Sequence, residues 1–250
     1  MSKKILVIPD VQCKPGVDMT HLTHIGKYIV EKKPDMIVHL GDHWDMPSLS
    51  SYDKGKKSFE GRRYKADIEA GNLGMRMLQA PLVALNKKKM VYNPERHFLF
   101  GNHEQRILRA TNDEPMLDGT IGLHDCDTSG WITHPFLEVF VHSGIAFSHY
   151  FTTGVMGRPC TTAASQLSKK HMSCIAGHQQ GLQIATANRA DGASLTSLIV
   201  GSCYTHHEDY LGPQGNVHFR GIIMLHDVQP SGQFEIMPIS LRYLKGKYHD

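Results

Sequence analysis

Short apolar runs recur along this chain, and most of them stop at a polar group. Residues 5–8 lead through Pro9 to Asp10 and Gln12, and residues 36–40 lead into Gly41, Asp42, His43 and Asp45. Residues 98–100 run into Gly101, Asn102, His103 and Glu104, while the runs at 144–149 and 172–178 end at His149 and His178. Apolar runs of this length without alternation predict strands covered on both faces, and in such sheets ligands gather at strand ends. Between the first two runs, Leu22, Ile25, Ile29 and Val30 recur near helical spacing and Pro34 follows, which predicts a helix over 19–33. Strand, helix and strand in that order form a βαβ unit with its two strands parallel and adjacent.

Residues 46–80 read as a polar, basic insertion passing into a second helix from Ile68 to Lys88, with Pro81 starting or kinking its last part. Glu104 is expected to cap a third helix beginning at Gln105. Residues 113–131 show no clear period. From residue 136 the texture is β, with Ser143-Gly144 as a hairpin turn. Strands are predicted in 194–204, 219–228 and 233–244, the last two joined by residues 229–232. The pattern predicts a parallel α/β half followed by a mainly antiparallel half, both delivering polar strand ends to one site.

Length and composition fit one large domain over residues 1–250, with no repeat or linker that marks a boundary. Apolar content of 40% and a mean hydropathy of −0.31 suit a soluble globular protein with a real core. No run approaches the ~20 apolar residues of a membrane helix, and the first apolar run is too short for a signal peptide. Cys13, Cys126, Cys160, Cys174 and Cys203 have no paired spacing, which suits free thiols in the cytoplasm. Cys13 lies beside the first polar cluster but reads as a buried bystander. The net charge of +3 is mild, yet Lys54, Lys56, Lys57, Arg62, Arg63 and Lys65 crowd into residues 53–65. Such a charge run is either a solvated face or a surface for a polyanion.

Carboxylate, amide oxygen and imidazole together form a ligand set for divalent cations of hard to borderline character. The order Asp10-Val11-Gln12, Gly41-Asp42, Gly101-Asn102-His103-Glu104, Ser148-His149 and Gly177-His178-Gln179-Gln180 resembles the calcineurin-like metallophosphoesterase superfamily. The resemblance implies a four-layer αββα sandwich with two mixed β-sheets and a dimetal site at the strand ends. It makes Asp42 the bridging ligand, with Asn102, His149 and His178 on the second metal. Asp10 belongs to the first metal, with Gln12 and Gln180 standing where the pattern has histidines. His103 would then act on the phosphate as general acid or charge stabiliser, held by Asp45, while Arg106 and Arg109 reach phosphate oxygens. Two divalent ions would clamp a phosphoryl group and supply a bridging hydroxide for in-line attack.

The two glutamines are neutral oxygen donors. They favour Mn²⁺ over the alternatives Mg²⁺, Fe²⁺, Ni²⁺ and Zn²⁺. His21, His43, His206 and His207 are possible replacement ligands, although an outward side chain is expected for His43. The expected activity is a phosphodiesterase or nuclease acting on DNA, RNA or a nucleotide. A phosphomonoesterase and a non-catalytic interaction module are the competing readings.

Overall fold

Strand β1 (Lys3–Ile8) shows why its run is apolar throughout: its two faces lie in two different cores. Leu6 and Ile8 pack with Leu22 and Ile25 of helix α1 (Thr20–Lys32), while Ile5 and Val7 pack with Ile145, Phe147, Ile175 and Leu198. The computed structural model describes residues 3–88, 91–208 and 211–249. Strand β2 (Met36–His39) lies parallel to β1, with Ile5 opposite Met36, so the βαβ unit forms as expected. Then come α2 (Tyr64–Lys87), β3 (Glu95–Leu99), α3 (Gln105–Asp113) and β4 (Ile132–His134). Next are β5 (Phe140–His142), β6 (Ile145–Ser148), α4 (Ala163–Lys170), β7 (Ser173–Ala176), β8 (Leu182–Asn188) and β9 (Ser194–Val200). The chain continues with α5 (Gly212–Gly215), β10 (Gly221–Val228), β11 (Glu235–Ser240) and α6 (Leu241–Tyr248).

The first sheet has the order β11-β10-β1-β2-β3-β4 and the second β5-β6-β7-β9-β8. One apolar cluster fills the space between the sheets, and another joins the first sheet to α1, α2 and α6. Helix α4 covers the outer face of the second sheet, where Gln166 Nε2 donates to Cys174 O, Ser197 Oγ and Leu198 O across β7 and β9. The layers are therefore helix, sheet, sheet, helix, in an α/β sandwich with two mixed sheets.

Three details differ from the sequence reading. Helix α2 begins at Tyr64, not Ile68, and passes through Pro81 unbroken, because its buried face, including Leu78 and Leu82, packs along α1. Tertiary packing outweighs the lost backbone donor there. The run 233–244 is a strand only to Ser240, whose hydroxyl accepts from Tyr243 N–H and starts α6; Leu241 and Leu244 are then buried at helical spacing. The antiparallel reading holds for the hairpins β5–β6, β8–β9 and β10–β11, but β6, β7 and β9 at the centre of the second sheet are parallel. That parallel order matters, because it sends the ends of β6 and β7 to the same edge. No helix among the described residues is long and apolar enough to cross a membrane.

Candidate active site

The polar residues that end five strands meet across the two sheets. Asp10 follows β1, Asp42 follows β2, and Asn102 and His103 follow β3, whereas His149 and His178 follow β6 and β7. The loops are tight. Asp42 has φ 49° and His178 φ 65°, the left-handed region that non-glycine residues rarely enter. Gly101 is needed because a Cβ there would lie 2.1 Å from Asp42 Oδ1. Gly71 of α2 plays the same part below, since a Cβ would fall 1.8 Å from the buried Trp44 ring.

Glu104 corrects an expectation. It makes no side-chain cap on α3. Its buried carboxylate accepts backbone N–H bonds from Gly101 (2.8 Å), Asp42 (3.0 Å), His43 (2.6 Å) and Trp44 (3.0 Å). The acid therefore holds the Asp42 loop in its strained shape against the start of α3, because its two oxygens accept from four backbone donors that would otherwise be buried unpaired, while burial and the Asp42 charge push its pKa up.

Asp42, His149 and His178 each offer one ligand atom, and those atoms lie within 4.8 Å of one another. His149 Nδ1–H donates to Leu40 O at 2.7 Å, which leaves the Nε2 lone pair facing inward. That lone pair meets Asn102 Oδ1 at 2.8 Å and Asp42 Oδ2 at 3.5 Å. Acceptors converging without a proton between them are what a divalent cation neutralises, so this set fits one. Burial pushes His178 down to about 4, so that ring is neutral as well. Burial resists charge on Asp42, but the neighbouring His103, which also donates its backbone N–H to Asp42 Oδ1, outweighs it and holds the carboxyl below its usual range.

The Asp10 side is built differently. Asp10 Oδ1 accepts from His178 N–H at 3.0 Å and Oδ2 from Gln180 Nε2 at 3.3 Å, while Tyr204 OH donates to Gln180 Oε1 at 3.0 Å. Gln180 thus turns its amide nitrogen, not its oxygen, toward Asp10. Burial and the Asp42 charge raise Asp10 to about 7. Gln12 is 2% exposed at φ 50°, and its Oε1 is buried without a hydrogen-bond partner. That unpartnered buried oxygen, two residues after Asp10, suits a hard cation.

His103 Nδ1–H donates to Asp45 Oδ1 at 2.7 Å and approaches Asp45 O at 2.9 Å. Its Nε2 accepts from Arg106 Nη2 at 3.0 Å and lies 3.7 Å from Asp42 Oδ2. Burial opposes a charge on the ring, but Asp42 and the Asp45 bond outweigh it, against Arg106, and the His103 pKa is raised. Burial likewise works against Asp45, yet His103, Lys14 and Arg106 hold its carboxyl well below the usual range. Arg106 Nη1 also donates to Asp45 O at 2.7 Å and Met46 O at 3.3 Å. Arg109 makes none of these contacts. It is exposed, with Nη2 3.5 Å from Leu49 O.

His43 does not point outward as expected. It is fully buried, donates from Nε2 to Gly71 O at 3.0 Å, and accepts at Nδ1 from His39 at 3.1 Å. His21 is buried, and His206 Nε2 faces Glu208 at 2.7 Å. His207 is exposed. Tyr204 was not among the expected residues, although it ends the apolar run of β9 in the same manner as the others end theirs.

No known family profile matches the chain. Two curated proteins, each called "Gene 54 protein" and found in Mycobacterium phage L5 and Mycobacterium phage D29, are 36% and 35% identical to it over 106 residues. The match takes in 42% of this chain and 38% of each relative, so the chain spans less than half the length of the curated relatives it matches. A solved crystal structure aligns over 96% of this chain and all of its own, at 11% identity and a TM-score of 0.43, a likeness too loose to carry an argument.

Proposed function

We propose that this protein is a metal-dependent phosphoesterase of the calcineurin-like kind, acting on phosphodiesters of nucleic acid or nucleotides in the cytoplasm. The observation that supports this most is the meeting of Asp42, Asn102, His149 and His178 from two sheets, 3.7 Å from a histidine that binds no ligand of that set through its Nδ1. Those four residues would hold one ion, and Asp10 with Gln12 would share Asp42 with a second, for which Mn²⁺ suits the oxygen donors best. When bound, such ions supply Lewis-acid activation of a phosphoryl group and of water.

The chain's own groups do the rest. Asp45 holds His103 by Nδ1, so Nε2, once it has taken up a proton in place of the Arg106 contact, is the atom that passes a proton to, or steadies charge on, the leaving oxygen. Arg106 stands against that nitrogen and offers its guanidinium to a phosphate oxygen. Lys54, Lys57 and Arg63 are exposed on the 46–63 insertion, which Arg106 ties to the site through Met46. They favour an extended polyanion over a small monoester. Five free, buried cysteines suit a reducing compartment.

A metal-by-substrate screen tests the reading. Mn²⁺-dependent cleavage of a bis-aryl phosphodiester or of DNA or RNA is expected. Cleavage of the monoester alone would make the protein a phosphatase, and no turnover with any metal would leave a binding module.

A further inference from the structure

The side of Asp45 turned away from His103 is also committed. Asp45 Oδ2 faces Lys14 Nζ at 3.3 Å, and Lys14 Nζ donates to Glu208 Oε1 at 2.5 Å. His206 Nε2 bonds the same Glu208 oxygen at 2.7 Å. The Glu208 backbone is fixed in turn: its N–H donates to Asn216 Oδ1 at 2.9 Å, and Asn216 Nδ2 donates to Glu208 O at 2.8 Å. The Lys14, Asp45 and Glu208 side chains are only 20%, 10% and 11% exposed. Four stretches distant in sequence thus meet in one line, Glu208, Lys14, Asp45 and His103, with an ammonium between two carboxylates and an imidazole at its end.

A carboxylate with one engaged oxygen can rotate and offer either oxygen to its partner. With Oδ2 held by an ammonium, Asp45 is left with one orientation, in which Oδ1 meets His103 Nδ1. Lys14 alone would compete with His103 for the same carboxylate. Glu208 shares the ammonium and limits that competition, and burial makes each contact count for more than it would in water.

We propose that Lys14 and Glu208 are positioning residues for His103, fixing the Asp45 carboxylate from the side opposite the imidazole. The inference deepens the phosphoesterase reading and rests on it for its effect on turnover. The geometry itself can be tested without turnover.

Lys14→Met keeps the stem and removes the charge, Lys14→Arg keeps the charge, and Glu208→Gln weakens the hold on Lys14. In proton–nitrogen NMR, the His103 Nδ1–H resonance, assigned by its loss in His103→Ala, should be visible in the parent. It should be lost to exchange in Lys14→Met and return in Lys14→Arg. In Mn²⁺-dependent hydrolysis, Lys14→Met should lower kcat about 10–100-fold, with KM and metal content unchanged and most of the loss recovered by arginine. If the phosphoesterase reading is wrong, no variant turns over but the resonance pattern stands. A Lys14→Met protein with the parent's resonance overturns the positioning role, whatever its activity. Should Lys14→Met fail to fold, Glu208→Gln decides by the same resonance, expected to weaken and overturning the inference if unchanged.

Discussion

Two sets of buried or half-buried histidines lie close together near the ends of β2, β6 and β7, and their chemistry is opposite. In the first set, Gly41 N–H donates to His39 Nδ1, His39 Nε2–H to His43 Nδ1, and His43 Nε2–H to Gly71 O. Both rings are neutral and every ring nitrogen has a protein partner. In the second set, His149 commits Nδ1 to Leu40 O and presents Nε2 to Asn102 and Asp42. His39, His43 and His149 are all buried and border the same loop, so neither burial nor nearness to Asp42 makes a ligand. What separates them is whether the second nitrogen of the neutral ring meets a group it can bond, as in His39 and His43, or only further acceptors, as in His149.

The largest effects should come from the second set. His178→Ala and Asp42→Ala are expected to lose tightly held metal and all metal-dependent hydrolysis while keeping the far-ultraviolet dichroism of the parent. Elemental analysis of the purified variants checks this, and full metal content in either would erase the distinction between the two sets. His103→Ala should be milder. It removes a group assigned to substrate, so kcat should fall by about 10²–10⁴-fold with metal content unchanged. Loss of one metal equivalent in that variant would move His103 among the ligands.

The Asp10 side allows a finer comparison. There the acceptors are oxygens, and Gln180 is tied between Tyr204 and Asp10. One ion should survive purification while the second exchanges, with activity rising as Mn²⁺ is added. Gln12→His with Gln180→His should tighten that second ion and move its preference toward Zn²⁺, an effect of about 10–100-fold in affinity. Two equally tight ions in the parent, with no response to added Mn²⁺, would show that the oxygen set is already complete.

The strands that lead to the site were largely legible, because β1, β2, β6 and β7 lie between two layers and so read as mostly apolar runs, while β3 showed itself only by its apolar end at Phe98 and Leu99. The edge strand β8 was not, since Leu182 and Ile184 alternate with Gln183 and Ala185, and Thr186 then breaks the apolar face on a half-exposed edge. Among the polar residues, sequence order placed Asp10, Asp42, Asn102, His149 and His178 at strand ends that the structure brings together. It could not place His43 or Glu104, because a side chain's direction in a tight loop depends on what lies across from it. Here that is α2, with Gly71 under His43, and the four backbone donors around Glu104. Lys14 and Glu208 were invisible for a similar reason: 194 residues separate them, and only the folded chain joins them through Asp45.

The smallest effect at neutral pH, and a test of the first histidine set alone, is acid lability. Burial holds His43 at about 4 and His39 well below its usual value, His43 adding to the latter. In the unfolded chain both rings take a proton near 6.5, so between pH 6.5 and 4 the unfolded state binds more protons than the folded one. Their neutral state therefore stabilises the fold fully above pH 6.5, and that contribution is lost as pH falls toward 4. At pH 5 the loss is about 2 kcal/mol for His43 alone. A cation on Asp42 acts in the same direction. His43→Gln should remove much of this slope, since a carboxamide can accept from His39 with its oxygen and donate to Gly71 O with its nitrogen, yet does not titrate. Urea midpoints at pH 7 and pH 5 make the comparison, expected to draw closer together in His43→Gln than in the parent, with metal content at pH 7 unchanged. An equal slope in both proteins would assign the acid loss to other groups. Loss of metal in His43→Gln would place that ring with His149 and His178 and dissolve the contrast between the two sets.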